Sequence, residues 1–312
     1  MQGSGTQASP YLIETCQDLQ YAMLHGNGAG GAYYYKVTRD LDCNEDKLYE
    51  WNVSTNSNIY PLDIDFDGHY ITNVNIKKDG WFYGASGNYT RNLHDGAIIN
   101  VYENGAVGFI RETNLVNMAI DVHTNGFTQA PFQFNARNGF GINLCNIKYD
   151  CTGNELVNNS NKCLFLNNSG LSGYVGVKNS KITINGNYNI GDPKGIFGGN
   201  WGEGVTGKSI VSGCLIEGNI VTSPDMSTGN YCFLSSTESI DSSIVNLDIS
   251  GISSSHPIRM TNNTNDNLEK NVFVQNNGIE FKYESAAIMA TSEQVRNPDW
   301  LLSQGFFLGK EV

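Results

Sequence analysis

The chain reads as short runs of alternating apolar and polar positions, interrupted by clusters of glycine, asparagine and serine. Ile182-Thr183-Ile184, Leu247-Asp248-Ile249 and Val272-Phe273-Val274 show the alternation. A period of two turns one face of a strand inward and the other outward. The runs recur in a two-part phrase, roughly every thirty residues. One part is led by a residue at position 73, 117, 146, 179, 213, 246 or 271, as in Asn73-Val74-Asn75-Ile76 and Asn146-Ile147-Lys148-Tyr149. Those positions are spaced by 44, 29, 33, 34, 33 and 25. The other part is a compact apolar cluster: Trp81-Phe82, Phe109-Ile110, Phe132-Gln133-Phe134, Cys163-Leu164-Phe165-Leu166, Ile196-Phe197, Cys232-Phe233-Leu234 and Pro257-Ile258.

Each unit therefore holds at least two short strands and a polar turn. Segments such as Asn167-Asn168-Ser169-Gly170 favour turns over helix. No amphipathic helix of useful length occurs between residues 50 and 285, which argues against helical repeats and βαβ units. A propeller blade needs four strands and a longer period. The fold class expected is all-β: a single-stranded, right-handed parallel β-helix of about seven coils, rising by about 4.8 Å per coil.

The ends of such a rod expose unpaired backbone and need covering. Thr15 with Asp18 reads as a capping box, followed by Leu19, Ala22 and Met23 on one helical face and Gly26 as the stop. Asn297-Pro298-Asp299-Trp300-Leu301-Leu302 reads as a second helix, with Gly305 as its stop. Short capping helices are thus expected at both ends of one domain spanning 1–312: an N-terminal cap over 1–50, coils over 51–285 and a C-terminal cap over 286–312.

The net charge of −12 argues against contact with nucleic-acid backbone or anionic lipid. No run of eighteen apolar residues is present, so no membrane insertion is expected. Met1-Gln2-Gly3-Ser4-Gly5-Thr6 has neither the basic start nor the apolar core of a signal peptide. The chain is then either kept in the cytoplasm or trimmed from a longer precursor. The seven cysteines include Cys145, Cys151, Cys163, Cys214 and Cys232 in strand phrases, where buried thiols act as small hydrophobes. A Cys16–Cys43 bridge is conceivable, but nothing in the spacing supports it. The five Asn-x-Ser/Thr sites follow from Asn and Ser richness.

Gly5-Thr6-Gln7-Ala8-Ser9-Pro10-Tyr11-Leu12-Ile13 resembles the opening of GLUG-type parallel β-helix domains. Phe66-Asp67-Gly68-His69-Tyr70-Ile71-Thr72-Asn73-Val74 is similar to that family's Gly-His-x-Ile-x-Asn phrase, and Thr291 through Phe306 resembles its closing segment. The likeness covers the ends and first coil; the central coils lack the compact family signature. Such domains occur in tailed-phage virion proteins and bacterial surface adhesins. The resemblance, with the missing signal peptide, implies a structural or adhesive bacteriophage virion protein of the capsid surface, tail or fibre. It would be localised to a virion assembled in the host cytoplasm. Its partners would be other virion proteins and host cell-surface glycan; a homo-oligomer and a docked monomer both stay open. The alternatives are a polysaccharide-degrading or glycan-binding β-helix and an adhesin of the bacterial cell surface.

No catalytic set is expected. Asp63-x-Asp65-x-Asp67-Gly68 opens like a calcium loop, but the twelfth position is Val74 rather than Glu, and Ile64 and Phe66 make it a strand with an acidic outer face. Asp121, Asp150 and Asp248 recur at similar phrase positions and could line one outer edge, while Arg111, Lys148 and Lys181 show no visible clustering. The histidines lie in different units and form no metal or nucleophile–base motif. No metal and no cofactor is expected. The candidate binding residues are the loop aromatics Trp201, Trp81, Tyr83 and Tyr89, whose exposed faces would stack on sugars or a protein partner. Function is expected to reside in loops at 83–107 and 198–207.

Overall fold

A computed structural model describes residues 1–24, 33–43, 61–77, 91–104, 108–111, 113–127, 130–134, 141–157, 164–168, 174–188, 196–199, 208–222, 237–251, 258–259, 271–274, 279–280 and 287–306. These residues form the expected parallel β-helix. Seventeen strands join in one sheet, a second sheet has four strands and a third has two, and every pairing between strands is parallel.

The coil has three walls. Asn114–Phe127 and Gly141–Val157 are long strands that each carry a corner. Along Asn114–Phe127, Leu115 and Met118 are buried while Val116 and Asn117 between them are exposed. The alternation resets at Asn117, whose φ is 54°. A residue in this left-handed conformation turns the chain from one wall to the next, and asparagine tolerates it best among residues with a side chain. The third wall is the four-stranded sheet, with Phe132 beside Ile110 and Leu166, and Leu166 beside Phe197.

Register defines the repeat more finely than the phrase does. One corner row runs through Asp95, Asn117, Asn146, Asn179, Gly213 and Ser242, all at positive φ. Four phrase leaders fall on it. Asn73 belongs instead to a second left-handed row with Asn100, Asn246 faces Glu217 on an outer row, and Asn271 lies beside Ser243, one place past the corner. Asp95 was absent from the phrase, which is why a spacing of 44 stood at the start. The second wall carries ten strands, from Leu41–Asp42 to Ile288–Ala290. The stack is therefore longer than the seven coils expected, about 43 Å from nine steps of ~4.8 Å.

Inside, like residues stack on like. Ile98, Ile120, Tyr149, Ile182, Ile216 and Val245 form one buried file across six coils. Phe109, Phe132, Phe165 and Phe197 form an aromatic file with ring centroids 6.3, 4.8 and 5.6 Å apart. A polar file runs beside them. The Ile147 amide donates to Ser180 Oγ at 3.2 Å, the Cys214 amide to Ser243 Oγ at 3.1 Å, and the Ser243 amide to Asn271 Oδ1 at 3.0 Å. Cys214 occupies a serine position in this file; its thiol lies 3.3 Å from the Ser212 carbonyl, and burial pushes its pKa up to about 11.

Both ends carry helices. In α1 (Cys16–Leu24), Asp18 donates its amide to Thr15 Oγ1 at 3.1 Å and its carboxylate accepts from the Thr15 amide at 3.1 Å. Leu19, Ala22 and Met23 are buried. At the other end α2 (Ser292–Val295) was not expected; Thr291 and Gln294 make its capping box. In α3 (Pro298–Ser303) Asn297 accepts from the Asp299 and Trp300 amides, as its sequence indicated.

Cys16 and Cys43 form a disulfide, the bridge that the spacing alone did not support. It ties α1 to the start of the second wall across 27 residues. Closing a loop of this length restricts the unfolded chain, and reduction is expected to lower stability by about 2 kcal/mol. A Cys16→Ala/Cys43→Ala variant should melt at the temperature of the reduced protein and be insensitive to reductant; an oxidised protein that melts no higher would contradict this role. Cys151 and Cys214 are buried free thiols, as expected, and Cys145 is half-buried. Cys163 and Cys232 lie outside the described residues.

Candidate functional site

Trp81, Tyr83, Tyr89 and Trp201, the expected binding aromatics, lie outside the described residues. The expected loop over 83–107 is in part a strand: Arg91–Asn104 runs for 14 residues through two walls. Its last turn outward carries Tyr102, 48% exposed, and the residue after it, Glu103, is buried.

Coil stacking extends these two residues into a groove. Tyr102 lies between Asn75 and His123 in register, and His123 is followed by Thr152 and then Asn185. The row continues to Asn219, whose amide donates to Asn185 Oδ1 at 2.9 Å, and to Asp248. Beside this row Glu103, Thr124, Gly153 and Gly186 follow one another. The two rows, the first from Asn75 as far as Asn185, line an open cleft of about 600 Å³ that also takes in Asn125 and Asn154. Its floor is low because Gly153 and Gly186 carry no side chain. A Cβ on Gly186 would meet the Gly153 carbonyl oxygen at 2.1 Å, so the coils there are in backbone contact. The row turns apolar again at Ile220, next to Gly186.

The groove's side chains are held by one another. The rings of Tyr102 and His123 stack with centroids 5.2 Å apart at 22°. His123 Nδ1 lies 3.0 Å from Thr152 Oγ1 and its Nε2 lies 3.4 Å from Asp121 Oδ2. The Thr124 hydroxyl donates to the Glu103 carboxylate and accepts from the Gly126 amide at 2.9 Å. The outer edge of this stacked pair, flanked by hydroxyl and amide groups, can pack against a sugar ring while bonding to its substituents.

The acidic edge expected from Asp121, Asp150 and Asp248 forms in part. Asp121 and Asp150 are in register, but Asp248 belongs to the neighbouring row. Of the three basic residues Lys148 and Lys181 come together, contrary to the expectation from spacing, while Arg111 stands on the third wall beside Gln133. Lys148 and Lys181 are adjacent in register, and they pair with Asp150 at 3.4 Å and Glu217 at 2.8 Å.

A second polar cluster lies nearer the N-terminus. Asp63 and Asp65 point outward from Leu62–Asp65, as the strand reading required. They meet His94 and Asp95 of the next coil, and ligand atoms of Asp65, His94 and Asp95 come within 4.8 Å of one another. His94 Nε2 lies 3.1 Å from Asp63 and Nδ1 lies 2.7 Å from Asp95. The bond to Asp63, opposed by burial and aided by Asp95, raises the His94 pKa to about 9. Asp95 is held below the usual carboxylate range by bonds from Asn117 and His94. For Asp63, burial pushes the pKa up, but bonds from His94 and Asn92 outweigh it and the net shift is downward.

This cluster has a pH signature. A histidine whose folded pKa is raised stabilises fully below its unfolded pKa, near 6.5, and the contribution is lost as pH rises through about 9. Thermal melts should therefore lose about 1 kcal/mol of stability between pH 7 and pH 10, after allowance for solvent screening. The loss should be absent in His94→Gln. A wild-type profile matching that variant would show that His94 carries no such charge.

No protein-family model and no curated protein matches this chain. It is similar to a crystal structure described provisionally as an immunoglobulin A1 protease from Bacteroides ovatus. The TM-score is 0.40 at 14% identity, covering 97% of this chain and 89% of that one. At that level the likeness carries no argument. No described helix is long and apolar enough to cross a membrane.

Proposed function

We propose that the protein is a structural and adhesive β-helix that holds a glycan on its lateral face. The observation that carries this reading is the open groove beside Tyr102, lined by hydrogen-bonding side chains from successive coils. A stack of parallel coils is stiff, and it repeats its outer face at each step. The Cys16–Cys43 bridge suits a working life outside a reducing cytoplasm, on a virion or a cell surface. The resemblance to GLUG-type domains suits a bacteriophage particle, where other virion proteins would be the remaining partners, and it suits the bacterial cell surface as the alternative setting.

A hydrolytic role has one observation in its favour. Asp121 and Asp150 stand on neighbouring coils in one outward row, and glycosidases work with a pair of carboxylates. A glycan microarray probed with labelled protein separates these readings from no glycan role at all. Wild type should bind and Tyr102→Ala should not, with no release of reducing ends from the bound sugar. Binding to no glycan would overturn the proposal, and release of reducing ends abolished by Asp150→Asn would replace it with the hydrolytic one.

A further inference from the structure

We infer that the groove takes a linear, uncharged glycan chain laid along the helix axis, with one sugar residue to a coil. This deepens the glycan-binding reading and rests on it. The first support is geometric. Asn75, Tyr102, His123, Thr152 and Asn185 stand in one file on five successive coils, and all five line the same groove. The coils rise by about 4.8 Å, close to the length that one hexopyranose residue adds to an extended chain. Each sugar thus meets an equivalent position carrying a different polar group. Tyr102 offers a ring edge and its hydroxyl, His123 an imidazole edge, Thr152 a hydroxyl and Asn185 an amide.

The second support is electrostatic. Among the described residues no lysine or arginine lines the groove. The Glu103 carboxylate lies in its floor, and Asp121 stands beside His123 at 3.4 Å. A sugar carboxylate or sulfate entering here would face like charge in a partly desolvated site, on a chain of net charge −12. Sugar hydroxyls are suited to the same site, because the Asn75, Thr152 and Asn185 side chains and the His123 ring can donate and accept hydrogen bonds. Glu103, buried in the floor, acts on this account through its charge alone, disfavouring acids without touching the sugar.

The groove also has ends. Past Asn185 the floor row turns from Gly186 to Ile220, and the groove-lining residues stop there. The file from Asn75 to Asn185 spans five coils, so binding should saturate at about five sugars.

The test is calorimetric titration with cello-oligosaccharides from monosaccharide to hexasaccharide, and with oligogalacturonates of the same lengths. Affinity for the neutral series is expected to rise about tenfold or more from disaccharide to pentasaccharide and then level off. The acidic series should bind at least about tenfold more weakly at equal length. Asn185→Ala should weaken the pentasaccharide several-fold while leaving the disaccharide unchanged, a length dependence that a folding defect does not produce. Glu103→Gln should narrow the gap between the two series, and its melting temperature reports whether the buried site has survived. If neither series binds, the glycan-binding reading itself fails. If sugars bind but affinity is flat with length, or the acidic chains bind as tightly, the axial inference fails and the glycan-binding reading stands.

Discussion

Replacing Gly218 with alanine is expected to destabilise the protein by about 4 kcal/mol. Gly218 has φ +148°, a conformation that residues with a Cβ rarely adopt. A Cβ there would lie 1.9 Å from the carbonyl oxygen of Ile184 and 3.0 Å from its amide nitrogen. These atoms belong to the preceding coil, whose backbone is fixed by the ladder linking Lys181–Tyr188 to Leu215–Thr222. The clash cannot be relieved by moving a flexible side chain, so the coils must separate. Gly68 supplies the control. Its φ is +81°, but nothing lies within 4 Å of its Cβ position, so Gly68→Ala should lose only about 1 kcal/mol from backbone strain. Equal melting temperatures for the two variants would show that the coils are not in backbone contact at Gly218.

The second large effect is expected at Asn271, which is fully buried. Its Oδ1 accepts from the Ser243 amide at 3.0 Å and its Nδ2 donates to the Ile240 carbonyl at 2.9 Å. One side chain therefore closes two backbone groups of the coil before it. Asn271→Ala would leave both buried and unmatched, at about 1–3 kcal/mol each, so a loss of about 3 kcal/mol is expected in denaturant unfolding. Asn271→Ser should recover part of it, because Ser180 and Ser243 do the corresponding work in earlier coils with a hydroxyl that accepts the neighbouring amide. An alanine variant as stable as the serine variant would mean that water reaches the two groups.

The fold was legible because the coil repeats its own chemistry. Corner residues Asn117, Asn146, Asn179 and Gly213 are types that enter the left-handed region readily, so the phrase found them. It lost the row where other residues do the same job: Asp95 at φ 60° and Ser242 at φ 50°. It also picked up Asn73, which sits at a different corner. The capping helices were legible from local rules, since Thr15, Asp18 and Asn297 make contacts within a few residues. The Cys16–Cys43 bridge was not, because its geometry is set by how the first coil closes over α1.

The groove was hidden for a physical reason. Its residues are separated by 27, 21, 29 and 33 positions, from Asn75 through Tyr102, His123 and Thr152 to Asn185. Those intervals are set by loops of unequal length, and no period in the sequence ties the five residues together. Lateral register alone brings them into one file. The same is true of His94, whose partners Asp63 and Asp65 are 31 and 29 positions away in the preceding coil. A sequence signal did exist at Tyr102-Glu103, where an aromatic and an acid end a strand instead of the expected apolar residue. It was overlooked because that stretch was assigned to a loop.

The most direct test of the account is a crystal structure of the protein soaked with cellotetraose. The account predicts density for a chain parallel to the helix axis, with one ring against Tyr102 and successive residues over His123, Thr152 and Asn185. Density lying across the coils, density away from this file, or a groove left empty at saturating ligand would contradict it.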